Sequence, residues 1–156
     1  MNYPSRRNSL RYPGFDYSSP AGIFVTITTH DRQAVLGFTL EDQEHLTQAG
    51  RAASRRWREI PDRFADVMID AFVVMPDHIH GILWIGCAGV EPPTSCGDVV
   101  RWFKTMVLRD FTVGVREHSW EPYKGRLWQR GYYDHIIRGE KDLATVRDYI
   151  DANPYA

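Results

Sequence analysis

The stretch Phe72-Val73-Val74-Met75-Pro76-Asp77-His78-Ile79-His80-Gly81-Ile82-Leu83-Trp84 decides how this chain is read. An apolar, β-branched run ends at Met75, Pro76-Asp77 makes a tight connection, and a second apolar run starts at His78. Side chains alternate across a strand, so His78 and His80 share one face and Ile79 takes the other. Two imidazoles placed this way can grip one divalent ion. The same spacing also occurs as ordinary polar decoration, so the pair alone does not decide between the two.

Upstream, Ile23-Phe24-Val25-Thr26-Ile27-Thr28-Thr29 is rich in β-branched residues and reads as a central strand. Thr39-Leu40-Glu41-Asp42 has the look of a capped helix start. That helix is expected to run through Leu46, Ala49, Ala53 and Trp57 as far as Pro61. Val67 to Met75 is a second strand and His78 to Ile85 a third. Downstream of a Gly/Pro-rich loop, Val99, Val100, Phe103, Met106, Val107 and Phe111 recur at helical spacing. Tyr132 to Arg138 is a fourth strand, and Lys141 to about Asn153 a last helix stopped by Pro154. The order βαββαβα predicts an α+β, ferredoxin-like domain, an antiparallel sheet with helices packed on one face.

With 156 residues the chain is one domain by size. Residues 1–22 read as a basic and aromatic arm carrying Arg6, Arg7 and Arg11, and residues 23–156 as the folded domain. No apolar run is long enough to span a bilayer and the start lacks the apolar middle of a secretion signal, so a cytoplasmic protein with no membrane partner is expected. Cys87 and Cys96, the only cysteines, read as reduced bystanders. A net charge of −1 argues mildly against nucleic acid. Its distribution argues the other way, because Arg101, Lys104, Arg109, Arg116, Lys124, Arg126, Arg130, Arg138, Lys141 and Arg147 crowd the C-terminal third. From charge alone a basic binding face and plain solvated helices are equally good readings.

On the last helix Tyr149 and Asn153 lie four apart, one above the other. A neutral phenol is a poor nucleophile, so Tyr149 needs a metal or base beside its target. The Asn153 carboxamide could complete the shell of a hard ion held by His78 and His80. Taken singly, Tyr149 also reads as a residue packing on the sheet and Asn153 as a helix C-terminal residue. His30, His45 and His118 have no companion at ligand spacing.

Three separated strings, Val74 to Leu83, Leu127 to Arg138 and Asp148 to Pro154, together resemble the REP-associated tyrosine transposases, in the single-tyrosine branch of the HUH nuclease superfamily. The N-terminal Arg6-Arg7-Asn8-Ser9-Leu10-Arg11-Tyr12-Pro13-Gly14 resembles the opening of a subgroup of that family, so the likeness spans nearly the whole chain. The resemblance implies that His78 and His80 ligate the metal, Mg²⁺ or Mn²⁺, that Tyr149 is the nucleophile, and that Asn153 stands where related transposases place a third ligand. It implies as partner a single-stranded or hairpin DNA, a repeated extragenic palindrome, joined through a 5′-phosphotyrosine link that needs no ATP. The acting form would be a monomer or a homodimer. Arg6, Arg7, Arg11, Arg101, Lys104, Arg126, Arg130 and Arg138 are the candidate phosphate contacts, with Trp128, Tyr132 or Tyr133 stacking on bases. Asp77 stands where relatives often carry Asn, and many relatives continue beyond the Asn-Pro with a tail. Two rivals stay open at this point: a domesticated hairpin-DNA binder that no longer cuts, and a metal-dependent hydrolase unrelated to DNA that uses Asp77 as base.

Overall fold

The computed structural model describes residues 20–155. Most of the predicted arm, with Arg6, Arg7 and Arg11, lies outside the described residues. Strand β1 (Ala21–Thr28) includes the two residues at the end of that arm. It pairs antiparallel with β5 (His78–Ile85) on one side and with β6 (Tyr133–Ile136) on the other, while β4 (Val67–Val74) closes the far edge of β5. The resulting four-stranded order is β4-β5-β1-β6. Counted without the small hairpin that follows β1, this is strand order 2-3-1-4, the expected ferredoxin-like arrangement.

One expected helix start is a hairpin instead. Gly37–Leu40 (β2) and Gln43–Leu46 (β3) pair across a two-residue turn in which Glu41 (φ 52°) and Asp42 (φ 60°) are both left-handed. Such a turn matches the twist of a two-stranded ribbon. Thr39, expected to cap a helix, donates its hydroxyl to Glu44 at 2.8 Å across the hairpin. The true cap is Thr47, whose Oγ1 accepts the Gly50 amide at 3.0 Å and starts α1 (Gln48–Arg58). A short α2 (Ile60–Arg63) follows, and α3 (Cys96–Glu117) begins at a Ser95 cap.

The helices also divide between the two faces of the sheet rather than sharing one. Ala53 and Trp57 of α1, with Val99, Phe103 and Val107 of α3, bury Val25, Ile27, Ile79 and Leu83. On the opposite face α4 (Gly139–Asp151) lays Val146 and Ile150 over Phe24, Val73 and Ile82. Both sides of β1 and β5 are therefore covered, as their nearly continuous apolar character requires. Gly81 belongs to the first face, where a Cβ would meet Trp57 Cζ2 at 2.2 Å. Among the described residues no helix is long and apolar enough to cross a membrane, and both cysteines are unpaired.

Helix α4 is docked by charge as well as by its apolar stripe. Arg147 donates Nε to Asp70 Oδ1 at 2.9 Å and Nη2 to Oδ2 at 2.6 Å, and Trp84 Nε1 adds a bond to Oδ2 at 2.9 Å. Arg147 and Trp84 hold the Asp70 carboxyl down from its ordinary 3.8 to about 2, against the opposing effect of burial.

Two outcomes follow from this packing. Gly81→Ala should lower stability by about 1–3 kcal/mol, read from urea unfolding, because Trp57 has nowhere to retreat. Asp70 carries a depressed native pKa, so its stabilisation is complete above the unfolded carboxylate value and is lost as the pH falls through about 2. Asp70→Asn should flatten the acid limb of the stability curve over that window.

Candidate active site

The site is built on the first turn of β5. Met75 N donates to His78 O at 2.7 Å, which closes the turn from β4, and Thr29 N donates to Asp77 O at 2.9 Å, which ties it to the end of β1. Registered opposite His80 are Thr26 on β1 and Val73 on β4, and Thr28 stands opposite His78. Strand alternation puts both histidines and Thr26 on the face that α4 covers.

Each imidazole is held from behind through Nδ1. For His78 the partner is Asp77 Oδ1 at 2.5 Å, and for His80 it is Thr26 Oγ1 at 2.9 Å. Arg32 Nε reaches Asp77 Oδ2 at 3.2 Å. It does so because Asp31 and Arg32 both adopt left-handed backbone conformations, φ 53° and 51°, which fold the chain back toward the turn. With both Nδ1 atoms engaged, the Nε2 atoms converge to 2.9 Å. Burial, helped by the neighbouring His78, pushes His80 down to about 4, so at neutral pH it is an uncharged imidazole with a lone pair to offer. Burial would raise Asp77, but hydrogen bonds from His78 and Arg32 outweigh it and keep the carboxylate below its ordinary value.

These residues fit a divalent ion. Cis ligands about 2.1 Å from an octahedral centre stand about 3 Å apart, which is the spacing of the two Nε2 atoms. Carboxylate and hydroxyl partners behind metal-binding histidines serve to fix ring orientation. Among the described residues no group of three or more His, Cys, Asp or Glu could hold a metal.

Tyr149 stands beside this pair. Its ring meets His80 edge-on, centroids 5.3 Å apart at 66°, and meets Phe24 at 6.3 Å, while Phe24 stacks on His80 at 5.4 Å. Tyr149 remains 45% exposed, although its ring packs against His80 and Phe24. Asn153 lies in the turn that ends α4, with its Oδ1 accepting the Tyr155 amide at 3.0 Å. That oxygen keeps a second lone pair.

The expected phosphate contacts scatter. Arg101 and Lys104 lie on α3, which packs on the other face of the sheet. Lys104 donates to the carbonyls of Gln129 and Gly131 and so pins a loop, and burial pushes its ammonium down to about 8. Trp128 is a core residue with Nε1 on Lys104 O, so it cannot stack on a base. Arg126 and Arg130 are exposed on the loop that runs beside β1, where Gln129 N donates to Thr28 O. Arg138 is exposed at the cap of α4. Thr26, Arg32 and Asp70 escaped the sequence reading. A Thr between two apolar residues of one strand and an Asp inside another were the available signals.

A His-x-His pair thus stands on a central strand of a ferredoxin-like sheet, faced by a tyrosine on the last helix. Residues 25–153 match the family described as Transposase IS200 like, and the chain belongs to that family. A protein of Haemophilus influenzae named only as uncharacterized is 33% identical over 165 residues, covering 95% of this chain and 88% of its own length. A second protein of that organism, provisionally named a REP-associated tyrosine transposase, is 32% identical over 87 residues, 54% of this chain and 47% of its own. In fold the chain is similar to a REP-associated tyrosine transposase bound to a REP hairpin. That pair gives a TM-score of 0.63 at 20% identity, covering 93% of this chain and 73% of the other. It also resembles a provisionally assigned transposase from Deinococcus radiodurans, with a TM-score of 0.54 at 20% identity over 92% and 96% of the two chains.

Thr26→Val should cost about 1–3 kcal/mol in urea unfolding, since it strips the partner from Nδ1 of a buried histidine.

Proposed function

We propose that the protein cuts and rejoins single-stranded DNA beside a hairpin, with Tyr149 as nucleophile and His78, His80 and Asn153 holding Mg²⁺ or Mn²⁺. The observation that carries this reading is the stacking of Tyr149 edge-on to His80, whose Nε2 converges with that of His78. Family membership supports DNA strand transfer, and the hairpin in the relative of similar fold supports the substrate.

When bound, the ion supplies positive charge beside the scissile phosphate. Everything else falls to the chain. The Tyr149 oxygen attacks phosphorus, the bond from phosphorus to the 3′ oxygen breaks, and that oxygen leaves as a 3′-hydroxyl. The phenol proton departs through solvent, to which Tyr149 is open. The product, a 5′-phosphotyrosine, keeps the energy of the phosphodiester, and a second 3′-hydroxyl can reverse the step. Asp77 and Thr26 keep the two imidazoles turned inward, while Arg126, Arg130 and Arg138 offer charge to the strand. Arg6, Arg7 and Arg11 join them in this reading, whereas Arg101 and Lys104 gain no support from their position. Tyr149 meets His80 of its own chain, which supports a monomer as the acting form. Such a reaction belongs in the cytoplasm with the DNA.

Labelled single-stranded DNA flanking a palindromic hairpin should form a covalent adduct in Mg²⁺ or Mn²⁺, seen on a denaturing gel. The adduct should vanish in Tyr149→Phe and in chelator. Binding without any adduct would instead support the domesticated binder. Asp77→Ala should weaken Mn²⁺ binding, measured by calorimetry, by about 10–100-fold. Equal affinity would show that the carboxylate behind His78 is idle.

A further inference from the structure

We infer that Asp70 and Arg147 form a clamp that fixes the azimuth of α4 and so positions Tyr149 over His80. The inference rests on Tyr149 being the nucleophile.

Its starting point is an irregularity in β4. The β4–β5 ladder pairs Ile69 with Leu83 and next pairs Phe72 with Gly81, so Asp70 and Ala71 stand together opposite Ile82. This bulge changes the parity of the strand. Ile69 and Phe72 both pack toward α1 and α3, whereas Ala71 packs toward α4 and Asp70 reaches an arginine of that helix. Bulges of this kind re-aim a side chain. Here the one re-aimed is a carboxylate that accepts four hydrogen bonds, from Ala71 N at 2.7 Å, Trp84 Nε1 at 2.9 Å and two nitrogens of Arg147.

The apolar seat of α4 sets which face turns to the sheet but leaves the helix free to rock about its axis within the width of that stripe. A bidentate guanidinium–carboxylate pair is directional. Arg147 is two residues before Tyr149, and Trp84 is four residues after His80 on the same strand and face. The clamp thus references the helix bearing the tyrosine to the strand bearing the histidines. It also removes Arg147 from the set of cations available to phosphate.

The test is single-turnover cleavage of the labelled hairpin-flanked strand in Mn²⁺, together with its Kd and the salt dependence of Kd. Arg147→Ala and Asp70→Ala should each slow cleavage at saturating DNA by about 10–100-fold. Their Kd and salt slope should match wild type, the double variant should be no slower than either single one, and Arg147→Lys should recover part of the rate. Arg147→Ala that cleaves at the wild-type rate, but binds with a shallower salt slope, would make Arg147 a phosphate ligand and overturn the clamp. Should Asp70→Ala fail to fold, Asp70→Asn carries the same comparison. Tyr149→Phe run alongside separates the two ideas. An adduct surviving there overturns the nucleophile and the clamp with it, whereas loss there beside wild-type rates in the Asp70 and Arg147 variants overturns the clamp alone.

Discussion

The antiparallel pairing of β1 with β5 is the constraint on which the rest depends. Its register sets Thr26 opposite His80 and Thr28 opposite His78, and its alternation sends Ile79, Gly81 and Leu83 to one layer and the histidines to the other. A slip of one residue would invert every one of these assignments. The apolar residues on both faces resist such a slip, since it would carry His78 and His80 into the α1–α3 core and Ile79 out of it. Chemistry and core are therefore specified by the same ladder.

The arrangement also explains how a polar site survives within a packed layer. His80 is buried, yet neither of its ring nitrogens faces an apolar wall: Nδ1 meets Thr26 and Nε2 meets His78. Asp77 carries its charge at the mouth of the turn, where Arg32 offsets it. Helix α4 then covers the apolar half of this face with Val146 and Ile150 and leaves Tyr149 at the boundary between core and solvent. A side chain placed there can be held by packing at its ring and still be reached from outside.

Most of this was legible in the sequence, for identifiable reasons. The strands and the two histidines were visible because alternation is local and the turn at Pro76-Asp77 is short. The segment from Thr39 to Leu46 was misread because a Thr followed by two acids imitates a helix cap, and its hairpin turn uses Glu41 and Asp42 with no glycine to announce left-handed backbone. The division of helices between two faces was recorded in the apolar residues on both sides of Ile23-Phe24-Val25, but no single helix states which face it covers. Asp70 was visible as an acid inside a strand, but its role was not, because that role depends on a bulge, a property of the pairing of two strands. The phosphate contacts were least legible. Charge says nothing of partners, and Lys104 and Arg147 turn out to hold the fold.

An ordinary ferredoxin-like ladder thus carries the proposed reaction at one side chain, Tyr149. The most direct test is mass spectrometry of the protein–DNA adduct after the DNA is trimmed with nuclease and the protein digested. A residual 5′-nucleotide on the peptide containing Tyr149, with fragment ions placing it on that side chain, is the predicted result. The same mass on Tyr132, Tyr133 or any residue outside α4 would contradict it.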